Sequence, residues 1–238
     1  MRALTIKNLS KEYDIKGKKV GALKGIDLQI EKGSFVTVVG KSGCGKTTLL
    51  RILCGLEDKT SGEILSNSPK VSIIFQEPRL MPWLTVKQNM GFSLVESRDK
   101  PEADRTVEKY LEMLGLAEFR DAYPSQISGG MAQRVAFGRT LCYNPDLILM
   151  DEPLGALDAF NRRKLQNDLI DIFVKNNKTI IFVTHDVDEA IYLGQKIVVL
   201  DQGRVVKELA VDMPYPRQTS SGDFFKLREE ILSLILIE

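Results

Sequence analysis

Gly40-Lys41-Ser42-Gly43-Cys44-Gly45-Lys46-Thr47 is the stretch on which the reading of this chain turns. It matches the pattern G-x4-G-K-[ST], follows the apolar run Phe35-Val36-Thr37-Val38-Val39, and precedes a predicted helix over Thr48 to Cys54. Glycines let such a loop curl until its backbone N–H groups converge on phosphate oxygens, and the helix N-terminus adds a field that favours an anion. Lys46 then brings a charge to the β- and γ-phosphates, and the Thr47 hydroxyl suits Mg²⁺. The competing reading, a glycine-rich turn with no ligand, fits the strand-loop-helix context poorly.

Working outward, three more apolar runs suit strands buried on both faces: Val71 to Phe75, Leu147 to Met150 and Thr179 to Val183. Helical stretches separate several of them, which predicts an α/β fold with a mainly parallel sheet. The runs end in Gln76, in Asp151-Glu152 and in Thr184-His185. Ligands of open α/β sheets bind beyond the carboxyl ends of the strands. Turning chains explain any one of these polar ends; together with the loop they predict a site. Asp151 is placed to hold Mg²⁺, and Glu152 to act as general base on the water in line with the γ-phosphate. The alternative for this pair is a helix cap or a turn, which Pro153 favours. His185, the single histidine, is placed to donate to the γ-phosphate; its alternative is a satisfied polar residue after a strand.

The first thirty residues alternate, with Leu4, Ile6 and Leu9, then Leu23, Ile26, Leu28 and Ile30, around a turn at Lys16 to Lys19. That predicts an N-terminal antiparallel β subdomain. Between Trp83 and Cys142 the pattern is helical and mixed in charge, with Val107, Leu111, Leu114 and Leu116 on one face, an inserted α-helical subdomain. A hairpin follows around Asp201 to Arg204, then a Pro/Ser-rich loop from Met213 to Gly222 and an amphipathic helix from Phe224 to Leu236. The expected organisation is one domain: a core from 1–86 and 143–210, the helical subdomain over 87–142, and a C-terminal loop and helix over 211–238. With 33 Lys+Arg against 32 Asp+Glu, the net charge of +1 argues against a basic nucleic-acid-gripping face. Three cysteines are too few for a disulfide framework and point to a reducing compartment. No apolar run approaches the roughly 20 residues of a membrane span, and the alternating N-terminus lacks an export signal.

Ile127-Ser128-Gly129-Gly130-Met131 opens a helix with a stripe of Met131, Val135, Gly138 and Cys142. Ser128 is a good N-cap, so this is a second anion-binding helix N-terminus. One nucleotide needs only one such loop. A second chain docked head-to-tail resolves the surplus, each phosphate loop being capped by the other protomer's Ser-Gly-Gly turn.

At this point the sequence resembles, in order and over nearly its whole length, the ATPase subunit of an ATP-binding cassette (ABC) transporter. The resemblance implies a P-loop NTPase core, with ATP and Mg²⁺ as cofactors. It implies that Tyr13 stacks on adenine, that Gly40 to Thr48 (Thr48 included) bind the nucleotide, and that Gln76 senses Mg²⁺ and water and relays to a membrane partner. Ser128, Gly129 and Gly130 match the family signature acting in trans, and Leu157-Asp158 the loop that crosses the dimer interface. The catalytic set is then Glu152, His185, Gln76 and Lys46, and the metal set Thr47, Gln76 and Asp151. The usual signature is Leu-Ser-Gly-Gly-Gln; here Met131 cannot hydrogen-bond as an amide would, and helix packing is its other role.

Gln76 to Val86, Asp151 to Ala159 and Met213 to Arg217 are similar to the nitrate/sulfonate/taurine importer branch. That implies a homodimer of ATPase subunits, two integral-membrane permease subunits, an extracytoplasmic substrate-binding protein, no nucleic acid, and a place on the cytoplasmic face of the membrane. Trp83 sits where the family meets its permease, or else in the core of the helical subdomain. Import of a vitamin precursor is an alternative function. A non-transport ABC ATPase of DNA repair is disfavoured because the interval from Lys46 to Ser128 is too short for long coiled coils. One of translation is disfavoured because the chain has one cassette. A soluble phosphotransferase leaves the Ser-Gly-Gly helix unexplained.

Overall fold

In the computed structural model the described residues are 2–68, 70–155 and 157–236. In chain order the elements are β1 (Arg2–Ile15), β2 (Lys18–Glu31), β3 (Phe35–Val39), α1 (Lys46–Leu53), β4 (Ser61–Ser66), β5 (Val71–Ile74), α2 (Val86–Met90), α3 (Lys100–Met113) and α4 (Gly129–Tyr143). There follow β6 (Leu147–Asp151), α5 (Ala159–Asn176), β7 (Thr179–Thr184), α6 (Val187–Leu193), β8 (Lys196–Asp201), β9 (Arg204–Ala210) and α7 (Gly222–Leu236).

Two sheets form. The smaller is antiparallel, in the order β2-β1-β4. Its hairpin turns through Lys16 and Gly17 alone, both at positive φ (54° and 81°), the backbone a two-residue turn needs to match strand twist. The larger sheet runs β5-β6-β7-β3-β8-β9, parallel except for β9.

Strand parity sorts the core into two layers. Phe35, Ile148, Met150, Ile180, Phe182, Ile197 and Val199 face one side, packed with Phe137, Leu165 and Leu169 of α4 and α5 and with Phe224 and Ile231 of α7. Val36, Val38, Leu147, Leu149, Ile181, Val183, Val198 and Leu200 face the other, against Leu49 and Leu50 of α1 and the inner face of the antiparallel sheet. Burial on both faces is why these strands read as continuous apolar runs. A third cluster, including Val86, Met90, Val107, Leu111 and Val135, holds α2, α3 and α4 together.

The C-terminal segment is fastened by a buried cation. Arg217, 5% exposed, donates to the carbonyls of Ile191, Gly194 and Met213, and its guanidinium lies 4.4 Å from the Tyr215 ring centroid. It thus caps the end of α6, whose last carbonyls lack helical partners. Among the described residues no helix is long and apolar enough to cross a membrane.

Candidate active site

The strand order sets the site out along one edge. Gln76 follows β5, Asp151 ends β6, His185 follows β7 and the glycine loop follows β3, so the four lie in the sequence β5-β6-β7-β3 across the carboxyl ends. Neighbouring strands lie roughly 4.8 Å apart, which brings groups distant in the chain to one crevice.

In the loop, two glycines are required by what surrounds them. A side chain at Gly40 would start 2.0 Å from the Leu200 carbonyl oxygen. Gly45, the N-cap of α1, has φ 107°, and its Cβ would fall 2.6 Å from the Ala22 carbonyl oxygen. The loop can therefore nest between β8 and β2 only with glycine at both places. The helix begins at Lys46, two residues before the expected Thr48. Lys46 Nζ is buried and donates to the carbonyls of Gly40 (2.8 Å) and Lys41 (3.0 Å). Cys44 turns its side chain into the core beneath the loop, where burial pushes its thiol pKa up, and its N–H donates to the Lys41 carbonyl. A cavity of about 180 Å³ opens over the loop, walled by Ser42, Gly43 and Gly45 to Thr48, with Ala22 and Glu152.

Parity explains the next contact. Leu147, Leu149 and Asp151 share the face that packs on α1, so the last carboxylate of β6 meets the first turn of that helix. The Thr47 hydroxyl donates to Asp151 Oδ1 at 3.0 Å. Burial raises the Asp151 carboxyl above its usual range, against the lowering effect of the Thr47 hydrogen bond. A carboxylate whose charge is disfavoured by burial, beside a second hard oxygen donor, suits a divalent cation.

Glu152 breaks the strand. Its φ is 46°, a conformation costing a non-glycine residue roughly 1–2 kcal/mol. It is held there by its N–H bonding to the Val183 carbonyl of β7 at 3.0 Å. The twist aims the side chain at His185, whose Nδ1 lies 2.8 Å from Glu152 Oε2. Backbone strain of this kind gathers where a side chain must be aimed.

Tyr13 stands at the rim of the loop, its hydroxyl 3.4 Å from Thr48 Oγ1. Gln76 is exposed; its amide nitrogen lies against Gly155, and among the described residues it makes no hydrogen bond to Thr47 or Asp151. Asp158 caps α5, accepting from the N–H groups of Phe160 and Asn161.

The Ser-Gly-Gly turn is elsewhere. Ser128 caps α4 by accepting from the Met131 N–H at 3.3 Å, and none of Ser128, Gly129 and Gly130 lines the cavity over the loop. Nothing in the packing of their own chain, among the described residues, requires either glycine. Among the described residues, a Cβ at Gly129 would meet nothing within 4 Å, and one at Gly130 only ordinary contacts with Leu157 and Asn161. Met131 packs against the cluster of the helical lobe, the packing role open to it. Trp83 is 71% exposed, which removes the core of that lobe as its place. Lys11 and Glu57, which form an ion pair at 3.2 Å beside Tyr13, have no motif; the one sequence signal was that positions 11 and 13 share a strand face.

Comparison with known proteins gives the family. Residues 23–155 match the family model described as ABC transporter. An ABC transporter ATP-binding protein of Methanocaldococcus jannaschii is 44% identical over 98% of this chain and 91% of its own length. The aliphatic sulfonates import ATP-binding protein SsuB of Bacillus cereus is 44% identical over 96% of this chain and 94% of its own, and that of Bacillus subtilis 41% identical over 97% and 93%. Among solved structures, a dimeric post-hydrolysis ATP-binding cassette bound to ADP and Pi superposes with a TM-score of 0.79 at 31% identity, covering 89% of this chain and 100% of the other.

Proposed function

The chain belongs to the ABC transporter family of ATPases, and from that premise we propose that it is the nucleotide-hydrolysing subunit of an importer for aliphatic sulfonates or a related small anion. The observation that carries the reading is the pairing of Thr47 with Asp151 and of Glu152 with His185 at one sheet edge, with Thr47 and Glu152 lining the cavity over the glycine loop. The names of the relatives support the sulfonate assignment.

ATP places its phosphates in the cavity over the loop. The Lys46 ammonium exchanges its bonds to the Gly40 and Lys41 carbonyls for phosphate oxygens, and the adenine stacks on Tyr13. Thr47 and Asp151 are the residues that would hold Mg²⁺, with Gln76 reaching the same ion from the next strand; when bound, the ion neutralises charge on the β- and γ-phosphates. Glu152 orients the attacking water and takes its proton as the bond from the γ-phosphorus to the bridging oxygen breaks. His185 fixes the Glu152 carboxylate by holding one of its oxygens and stands beside the γ-phosphate.

The Ser128-Gly129-Gly130 turn serves the partner's nucleotide. Two glycines that no described residue of their own chain requires allow another molecule's phosphates to approach the α4 N-terminus closely. Asp158 at the start of α5 lies on the same face, since Gly130 neighbours Leu157 and Asn161. Permease subunits meet the helical lobe, with exposed Trp83 as one contact, and an extracytoplasmic binding protein selects the solute. The chain then works on the cytoplasmic face of the membrane, held there by the permease.

Phosphate release by the purified chain, lost on chelation and restored by Mg²⁺, is the first test. The second is growth on an alkanesulfonate as sole sulfur source in a strain lacking its own sulfonate-import ATPase. Rescue would support both the sulfonate assignment and docking to the host permease; phosphate release without rescue would keep the ATPase and show that the chain does not couple to that permease.

A further inference from the structure

We propose that the Lys11–Glu57 ion pair is the positioning device for the nucleotide base: it fixes the Tyr13 ring from behind and leaves its other face as a stacking platform. The proposal rests on Tyr13 being the adenine contact, as set out above.

Lys11 of β1 and Thr48 of α1 contact Tyr13 itself, and the segment between α1 and β4 holds Lys11 in place. Lys11 Nζ lies 4.9 Å from the Tyr13 ring centroid, 3.2 Å from Glu57 Oε1 and 2.7 Å from the Asp58 carbonyl oxygen. The Tyr13 hydroxyl lies 3.4 Å from the Thr48 hydroxyl in the first turn of α1. The same hydroxyl holds the Glu57 carboxyl below its usual range, while burial, ahead of the Glu57 hydrogen bond, pushes the Tyr13 phenol up. Both charged side chains are largely covered, with 14% and 17% exposure.

An ion pair so far withdrawn from water is a poor stabiliser, because desolvation offsets much of its Coulomb gain. Its geometry does something else. A tyrosine on an open strand turns about χ1 and χ2, and ordering it costs a nucleotide part of its stacking energy. Here the cation covers one ring face, and the hydroxyl is anchored at Thr48 of the loop helix. Only one face remains for a base, and it is already in place. Such a platform recognises the π-face of the base and not its edge, so it rewards stacked area over hydrogen-bond pattern.

The test uses the full chain and two probes, ATP and inorganic tripolyphosphate, which has the anionic groups but no base. In Lys11→Met, Glu57→Gln and the charge-balanced double variant, ATP affinity should fall by on the order of 5-fold, part of the roughly 5- to 150-fold equivalent of one base-aromatic stack. Tripolyphosphate affinity should stay within about twofold, and the loss should be smaller for UTP than for ATP. Should one single variant fail to fold, the double variant, which buries no unpaired charge, still reads the effect. Equal losses for ATP and tripolyphosphate would assign the pair to holding α1 and overturn the proposal; no loss for either would overturn it too. Tyr13→Ala is measured alongside. A loss of ATP affinity there, without one in the Lys11 and Glu57 variants, would sink the positioning role alone. No loss in Tyr13→Ala would remove the stacking assignment and the proposal with it.

Discussion

Glu152 and His185 face each other across the ends of two adjacent parallel strands, with Oε2 of one 2.8 Å from Nδ1 of the other. An ionised carboxylate only accepts, so the proton of this bond belongs to the ring. The contact is solvent-accessible on the histidine side (63% exposed), and at such a site it contributes little to stability. Its geometry is that of an orienting contact: the ring holds Oε2, which in the proposed reaction leaves Oε1 to face the attacking water.

Replacing that carboxylate isolates its chemistry. Glu152→Gln should bind ATP and stay dimeric with it, while phosphate release falls by about 10²- to 10⁴-fold, the range of a lost general base. Release at the wild-type rate in a coupled phosphate assay would remove Glu152 from the role.

A site shared between chains can be rebuilt from two broken ones. Lys46→Ala and Ser128→Arg should each be inactive alone. Mixed in equal amounts they should recover about a quarter of wild-type hydrolysis, since about half the dimers are mixed and each has one intact composite site. Absence of any recovery would argue that each chain works on its own nucleotide.

Two aromatic residues separate fold from partner. Phe182 is fully buried between β3 and the helices, so Phe182→Ala should cost about 3–5 kcal/mol in urea unfolding with an unchanged m-value. Trp83→Ala, at an exposed position, should leave stability within about 0.5 kcal/mol. Its effect should appear instead as weaker co-purification with the permease.

The buried carboxyl of Glu189 sets a pH dependence. Burial raises its pKa, against hydrogen bonds that include one from Gln166 Nε2 at 3.2 Å. The folded state therefore holds the proton more tightly than the unfolded chain. Its contribution to stability is full below the unfolded value and declines as pH rises from there through the folded value. Glu189→Gln removes that decline. Unfolding curves should show the variant gaining on the wild type from the ordinary glutamate range upward and then running parallel to it; a constant difference at all pH values would contradict the burial effect.

What the sequence displayed follows from which side chains burial dictates. The doubly buried strands had to be apolar, so β3, β6 and β7 and the polar groups after them were visible, as was the loop that nests only with glycine at 40 and 45. β4 was not foreseen: Ser61-Gly-Glu-Ile-Leu-Ser66 has little strand character and is held by its ladder to β1. The helix after the loop starts early because Gly45, and not the loop's last polar residue, is its cap. α7 begins at Gly222, before the apolar Phe224 that marked it. The Lys11–Glu57 contact has no signal in the sequence, because residues 46 positions apart leave no local pattern.

Arg217 bears on how the protein can be handled. Its guanidinium closes the end of α6 through the Ile191 and Gly194 carbonyls, ties it to Met213, and spends its charge on no carboxylate among the described residues. The matched family segment ends at residue 155, and His185 and α6 lie beyond it. A version trimmed after β9 would strip α6 of that closure and leave the seats of Phe224 and Ile231 open to water. Such a fragment would aggregate before it became a smaller engine, and a reporter or affinity handle belongs after α7, not in its place.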